Sequence, residues 1–280
     1  MDTWIHARPR RAAASLARRG RSWLGGRPLL TLLLALALVL SIDAVDWNGP
    51  LLHGQGLEAA AEMLRALVHP DLSAVTLGLA LEASWRTLAY ATAGMALTVV
   101  LALPLGVLAA GVLAAHPLLR LLEVAVFRGL LGFLRAVHEL VWAWLLVAAI
   151  GLTPLAAVWA IALPYAGILG RILAEQLQDV PEGPLRALRA AGASPLQVLL
   201  YGRLPYALPD MISYALYRYE CAIRSAAIMS FVGLGGLGYQ IQLSLADLRY
   251  DQVWTFVFFL IGLVVAIDLW SGALRRRLVA

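Results

Sequence analysis

Residues 179–205 read Asp179-Val-Pro-Glu-Gly-Pro-Leu-Arg-Ala-Leu-Arg-Ala-Ala-Gly-Ala-Ser-Pro-Leu-Gln-Val-Leu-Leu-Tyr-Gly-Arg-Leu-Pro205. The stretch parses as two short helices with a stop between them. Pro184 suits the first position of one helix, where its missing N–H costs nothing. Gly192 supplies a left-handed stop. Ser194-Pro195 caps and starts the second helix, and Leu204-Pro205 is expected to end it. Between them, Ala187, Ala190 and Ala191 offer small side chains to an approaching surface, beside the basic Arg186 and Arg189.

On either side of this knob the chain is apolar for the width of a bilayer. Pro154–Ala174 precedes it and Ala207–Val232 follows it, each near the about 20 residues that a spanning helix needs. Leu29–Val45, Trp85–Val112, Arg135–Gly151 and Gln252–Gly272 read the same way. The runs are continuously apolar rather than alternating, which indicates helices and not a barrel. Composition agrees: 61% of the 280 residues are hydrophobic and only 14% charged, where a soluble domain is about a quarter charged. The mean hydropathy is +0.79. A disordered chain and a nucleic-acid-binding domain are excluded, and a soluble enzyme is disfavoured.

The expected fold is therefore an all-α integral membrane protein with six transmembrane helices. Residues 1–28 form a basic leading segment and 29–45 the first span; Asp43-Ala-Val-Asp46 is a poor cleavage site, so this span reads as uncleaved rather than as a signal peptide. Residues 46–81 carry an amphipathic helix at Leu57–Val68, too short to cross. Residues 82–274 form a five-span core that includes the knob, and 275–280 a tail. All 22 basic residues are Arg. Their placement orients the chain: seven lie before the first span, Arg120, Arg128, Arg171, Arg186, Arg189 and Arg203 fall in the even-numbered connections, and Arg275, Arg276 and Arg277 close the chain. Arg65, Arg86 and Arg249 fall opposite. The bias puts both termini and the knob in the cytoplasm, with residues 46–81 in the periplasm.

The single cysteine, Cys221, excludes an internal disulfide and a thiolate zinc site. His138-Glu139 lacks a second His at zinc-helix spacing, so no metal site is expected. No Gly-x-x-x-x-Gly-Lys motif exists in a chain without Lys, and no cofactor of its own is expected. Gly233-Leu-Gly-Gly-Leu-Gly238 follows a membrane helix rather than a strand, so Gly233, Gly235, Gly236 and Gly238 read as a periplasmic turn and not as a phosphate cradle.

The knob resembles the EAA loop of ABC importer permeases, whose pattern is Glu-Ala-Ala, three residues, Gly, nine residues, Ile, one residue, Leu-Pro. Ala187, Gly192, Leu204 and Pro205 match it here; Arg186 and Leu188 stand at the Glu and second Ala positions, and Gly202 at the Ile. Tyr214–Arg224, Val232–Gly238 and Arg135–Leu140 are similar to the phosphonate and phosphite permease branch, with His138 where that branch usually has Pro. The resemblance covers about residues 75–278 and implies an ABC type I importer permease in a bacterial inner membrane. It implies a substrate of the phosphonate, phosphite or hypophosphite class. It further implies two copies of a cytoplasmic ATP-binding subunit, a periplasmic substrate-binding protein, and a second permease copy or a paralogue, with lipid around them and no nucleic acid. Arg186, Ala187, Leu188, Arg189, Ala191, Gly192, Leu204 and Pro205 would then dock the ATPase. Alternatives are an ABC permease for another small solute, or an ion-coupled secondary transporter, for which the paired broken helices are not evident.

Charges inside spans cost roughly 2.5–3.5 kcal/mol each on insertion scales. Arg218, Glu220 and Arg224 nevertheless lie within the run 207–232, and Glu139 within the run 135–151. Glu220 and Arg224 are spaced to pair on one face, while Arg218 points elsewhere, with Glu139 and Asp268 as possible partners. One role is a packing network. The other is a cationic lining for an oxyanion, since the planar Arg fork donates two parallel hydrogen bonds.

Overall fold

The computed structural model describes residues 26–44, 56–114 and 116–279. The expectations for residues 1–25, which hold most of the leading Arg cluster, and for 45–55 lie outside the described residues. The chain divides into compact units of residues 1–59 and 60–280. In the first, helix α1 spans Gly26–Asp43. Its described side chains are exposed and almost wholly apolar, as a helix solvated by lipid requires.

In the second unit every regular element among the described residues is helical. Helix α2 (Gly56–Ala66) crosses the boundary between the units and carries the expected amphipathic pattern. Its Met63 carbonyl accepts a 2.7 Å hydrogen bond from Trp254 Nε1. Helix α3 (Ala74–Ala110) starts well before the expected Trp85. Ser73 Oγ caps it by accepting from Thr76 N, and Glu82 and Arg86 pair at 2.7 Å one turn apart on its exposed side, so these polar residues prolong the helix instead of delaying it.

The run 135–151 is not one helix. Helix α4 (Pro117–Ala136) stops at Val137, and α5 (Glu139–Ile150) leaves at 88° to it. Val137 and His138 are extended, and His138 Nδ1 accepts from Leu140 N at 3.2 Å, a side-chain cap that fixes the break. The stretch 117–136, which carries Arg120, Glu123 and Arg128, is helical as well.

Helix α6 (Pro154–Gln178) is the hub. It packs against α3, α4, α5 and α9 (Leu204–Met229). Many of its inward positions are small, Ala156, Ala157, Ala160, Ala166, Gly167, Gly170 and Ala174 among them, with Ile161, Tyr165, Leu169, Leu173 and Leu177 filling the spaces between. Small residues let backbones approach closely, which drives helix association in lipid, where the hydrophobic effect between helices is absent. Gly167 shows the tightness, since a Cβ there would meet Leu131 O at 2.7 Å and Arg135 N at 2.8 Å. The remaining helices are α7 (Glu182–Ala190), α8 (Pro195–Val198), α10 (Leu237–Ala246) and α11 (Tyr250–Val279). Helices α3, α6 and α11 are long and apolar enough to cross a bilayer; counting each bent pair as one span brings the number to five, and α1 is a shorter apolar helix.

The ends of the bundle are pinned differently. At one end Asp71 ties α3 to α11: Oδ2 accepts from Thr76 Oγ1 (2.6 Å) and Gln252 Nε2 (3.1 Å), and Oδ1 from Ser73 N (2.9 Å). These bonds, Thr76 first, hold the Asp71 carboxyl well below the usual carboxylate range. At the other end the carbonyls of Ala109 and Ala110, the last residues of α3, are met by Arg128 and Gln178.

Candidate functional site

The knob is built as its residues dictate, with two differences. Helix α7 starts at Glu182, so Pro184 sits inside its first turn rather than opening it. Gly192 takes φ +86°, and the Ala193 N–H reaches back to Leu188 O at 3.0 Å, closing α7 in a left-handed turn. Ser194 and Gln197 then form a reciprocal capping box for α8. The second difference is that Leu204-Pro205 does not end this helix. A π segment, Leu199–Arg203, joins α8 directly to α9. Pro205 lies within the first turn after that segment, where the irregular hydrogen bonding of the π turn removes the usual penalty of a missing donor.

Arg203 fastens the knob. It is buried, donates from Nη1 to Leu177 O at the end of α6, and lies 3.5 Å from Glu182 Oε1. Glu182 also accepts from Arg189 Nη1 at 2.8 Å, and that bond, ahead of the positive field of Arg203, holds its carboxyl below the ordinary range. Gly202 completes the seat: a Cβ there would lie 2.8 Å from Leu185 Cδ2 and 2.9 Å from Leu188 Cδ1. One face of α7 is thus fixed to α6 and the π segment. The other, with Arg186, Ala187, Ala190, Ala191 and Gly192, is exposed.

The second cluster lies inside the bundle. At 100° per residue Arg218 and Ser225 of α9 fall within about 20° of each other, and Glu220 about 160° from Arg218. Ser225 Oγ donates to Glu139 Oε1 at 2.7 Å and lies 2.9 Å from Tyr165 OH. The Arg218 guanidinium sits over the Tyr165 ring at 4.9 Å, a contact of about 2 kcal/mol when desolvated. Its Nε is buried without a hydrogen-bond partner among the described residues. Glu139, Ser225, Tyr165 and Arg218 therefore form one polar chain joining α5, α9 and α6.

Glu220 and Arg224 do not pair. Glu220 faces α11, where Arg275 Nη2 stands 2.7 Å from its Oε1, too oblique for a hydrogen bond but a close charge contact. Arg224 is exposed and touches Cys221 Sγ at 3.4 Å. The i, i+4 spacing permits the Glu220–Arg224 pair; a cation offered by a facing helix displaces it. Asp268 is exposed and joins none of these groups.

The glycine turn is close-packed. Gly233, Gly235 and Gly236 take φ of +94°, +79° and +102°. Leu237 N donates to Thr87 Oγ1 at 3.0 Å and Tyr90 OH to Leu234 O at 3.1 Å, stitching the turn to α3. Gly238 is the tightest point, since a Cβ would fall 1.9 Å from Ala227 O.

A bundle of membrane-length helices, carrying between two of them a capped knob with one fixed and one open face, matches a known group. Residues 102–280 fit the family described as "Binding-protein-dependent transport system inner membrane component". The chain belongs to this family. It is 36% identical over 227 residues to the phosphite transport system permease protein PtxC of Stutzerimonas stutzeri, covering 79% of this chain and 78% of that one. It is 32% identical over 213 residues to the phosphate-import permease protein PhnE of Mycolicibacterium smegmatis, covering 76% of this chain and 39% of that one. The inward-facing MetNI methionine ABC transporter has a chain that superposes with a TM-score of 0.64 at 22% identity, over 74% of this chain and 99% of that one, a likeness of fold. The protein is an inner-membrane permease subunit with ABC type I architecture. Membership implies an ATP-binding subunit and a substrate-binding protein as partners, and permease subunits of this family lack an ATPase site of their own.

Four residues of these clusters are not evident from sequence. Tyr165 and Ser225 look like ordinary helix residues. Glu182 and Arg203 look like solvated loop charges. The one sequence signal for Arg203 is its place immediately before Leu204-Pro205.

Proposed function

We propose that this permease subunit translocates a small phosphorus oxyanion of the phosphite or phosphonate class. Six spans place both termini in the cytoplasm, and the substrate is delivered by a periplasmic binding protein. Two ATP-binding subunits grip two permeases, the second being another copy of this chain or a paralogue. Each ATPase docks on Arg186, Ala187, Arg189, Ala191 and Gly192, with Leu188, Leu204 and Pro205 behind them. Closure of the ATPases upon ATP pushes the knob, and the rigid-body motion opens the pathway toward the periplasm.

The observation that carries this reading is the two-faced knob. A linker with no mechanical task needs neither a buried arginine on the α6 carbonyl nor an open face of alanines. The substrate class rests on the 36% identity to a phosphite permease and on the chemistry of Arg218. Its guanidinium presents N–H donors inside the bundle, while Glu139, two hydrogen bonds away through Ser225 and Tyr165, tempers the positive potential so that an anion is released as well as bound. Glu220 and Arg224 flank the same stretch of α9 on its other side.

The test is phosphite uptake by cells whose only phosphite route is this permease with its ATP-binding and binding-protein partners. Wild type is expected to take up labelled phosphite in an ATP-dependent manner. Replacing Ala187, Ala190 and Ala191 together by Glu is expected to abolish uptake and the copurification of the ATPase while leaving permease levels intact. Unchanged uptake in that variant overturns the coupling role, and no phosphite or phosphonate uptake in wild type overturns the substrate class.

A further inference from the structure

We infer that the cavity at the start of α4 binds the phosphate of an anionic phospholipid in the cytoplasmic leaflet. This goes beyond the proposed function and rests on it only for which leaflet the cavity faces. The cavity holds about 510 Å³ where the α3–α4 connection meets the end of α6. Arg120, Arg128, His116 and Gln178 form its polar wall, and Leu121 and Val124 its apolar wall. At 100° per residue Arg120, Val124, Arg128 and Leu121 occupy one arc of α4 about 100° wide, and Glu123 lies about 60° outside it.

The cations in this cavity have no anionic partner among the described residues. Arg128 donates from Nε to Ala109 O at 3.2 Å and from Nη2 to Gln178 Oε1 at 2.8 Å, both neutral acceptors. Gln178 in turn donates to Ala110 O at 2.8 Å. These bonds fix the Arg128 guanidinium and cap α3, but the end of a helix supplies only a fraction of a negative charge. Arg120 makes no ion pair and no side-chain hydrogen bond among the described residues. Glu182, which lines the adjoining cavity with Arg120, is engaged by Arg189 and Arg203. Helix α4 moreover opens at His116 without a side-chain cap, so the free N–H groups of its first turn add partial positive charge at the same place.

Two arginines and a helix N-terminus gathered without a carboxylate give this cavity a positive potential that favours an anion from outside the chain. The surroundings select a phospholipid over a dissolved phosphate. The apolar wall of the cavity includes Leu121, about two-thirds exposed, a flank on which an acyl chain lies while the headgroup phosphate meets the guanidinia. Basic pockets between membrane helices on the cytoplasmic side recognise anionic headgroups in this way.

The experiment uses the purified permease–ATPase complex in a bilayer of equal phosphatidylglycerol and phosphatidylethanolamine, with copurifying lipid counted after extraction. Wild type is expected to retain phosphatidylglycerol in excess, and Arg120→Gln to bind it about fivefold more weakly, the effect of one basic residue at such a surface. Arg120 makes no structural bond, so this variant leaves the fold intact, and Arg65→Gln controls for the lost charge by retaining the wild-type excess. Equal retention by Arg120→Gln and wild type overturns the inference. So does displacement of the lipid by excess inorganic phosphate, which would mark the ligand as a free anion. Loss of the ATPase from Arg120→Gln with lipid retention unchanged also overturns it, by assigning the face to that subunit. The readout is lipid and not transport, so failure of the phosphite reading leaves it standing.

Discussion

Arg218 and Asp71 are two charged residues that work in different solvents. Arg218 lies within the bundle, stacked on Tyr165 with its Nε unmatched. A charge-assisted hydrogen bond is worth about 1.5–3 kcal/mol, so Arg218→Ala is expected to lower phosphite uptake by about tenfold or more while the complex still assembles. Uptake assayed beside ATPase copurification checks it, and normal uptake would exclude Arg218 from the pathway. Asp71 sits at the end of the bundle, where Thr76, Ser73 and Gln252 donate to its carboxylate and Arg249 Nη2 lies 3.8 Å away. Its folded pKa is depressed, so its stabilisation is fully present above the unfolded value of about 3.9 and is lost as pH falls through the lower folded value. Asp71→Asn is therefore expected to lower the thermal midpoint near pH 7. The gap from wild type should close as the pH is taken well below about 4. A constant gap down to the lowest pH that the fold survives would show that the carboxylate charge is not what matters.

Among the elements, the turn between α9 and α10 has the least room. Gly238→Ala would place a methyl carbon 1.9 Å from Ala227 O, a collision with backbone that no rotamer relieves. The variant is expected to yield no monodisperse protein by fluorescence-detected size exclusion, whereas Gly78→Ala, where a Cβ meets nothing within 4 Å, should match wild type. Normal yield of both would mean that this turn repacks freely. Element reading from sequence worked where the cue was local. Gly192, Ser194 and Pro195 announce the end of one helix and the start of the next, and backbone geometry follows from three residues. It failed where the cue was tertiary. Pro205 reads as a stop, but the π segment absorbs it. The apolar run 135–151 reads as one span, but a single imidazole capping Leu140 N divides it. Glu220 reads as the partner of Arg224 because periodicity describes one helix and not the cation on its neighbour.

At the scale of the whole molecule, the membrane class and the helical architecture follow from composition alone, because 61% hydrophobic residues in continuous runs leave lipid as the only compatible solvent. The polar chain of the core was half legible: Glu139 and Arg218 stand out as charges in apolar runs, while Tyr165 and Ser225, which connect them, carry no such mark. The unbroken passage from α8 through the π segment into α9 has a further consequence. From Pro195 to Arg218 runs about 35 Å of helix axis with no loop to dissipate torque. Under the coupling proposed above, a twist applied at the Pro195 end would reappear as rotation of the Arg218 guanidinium, the continuous helix acting as a crankshaft between knob and core.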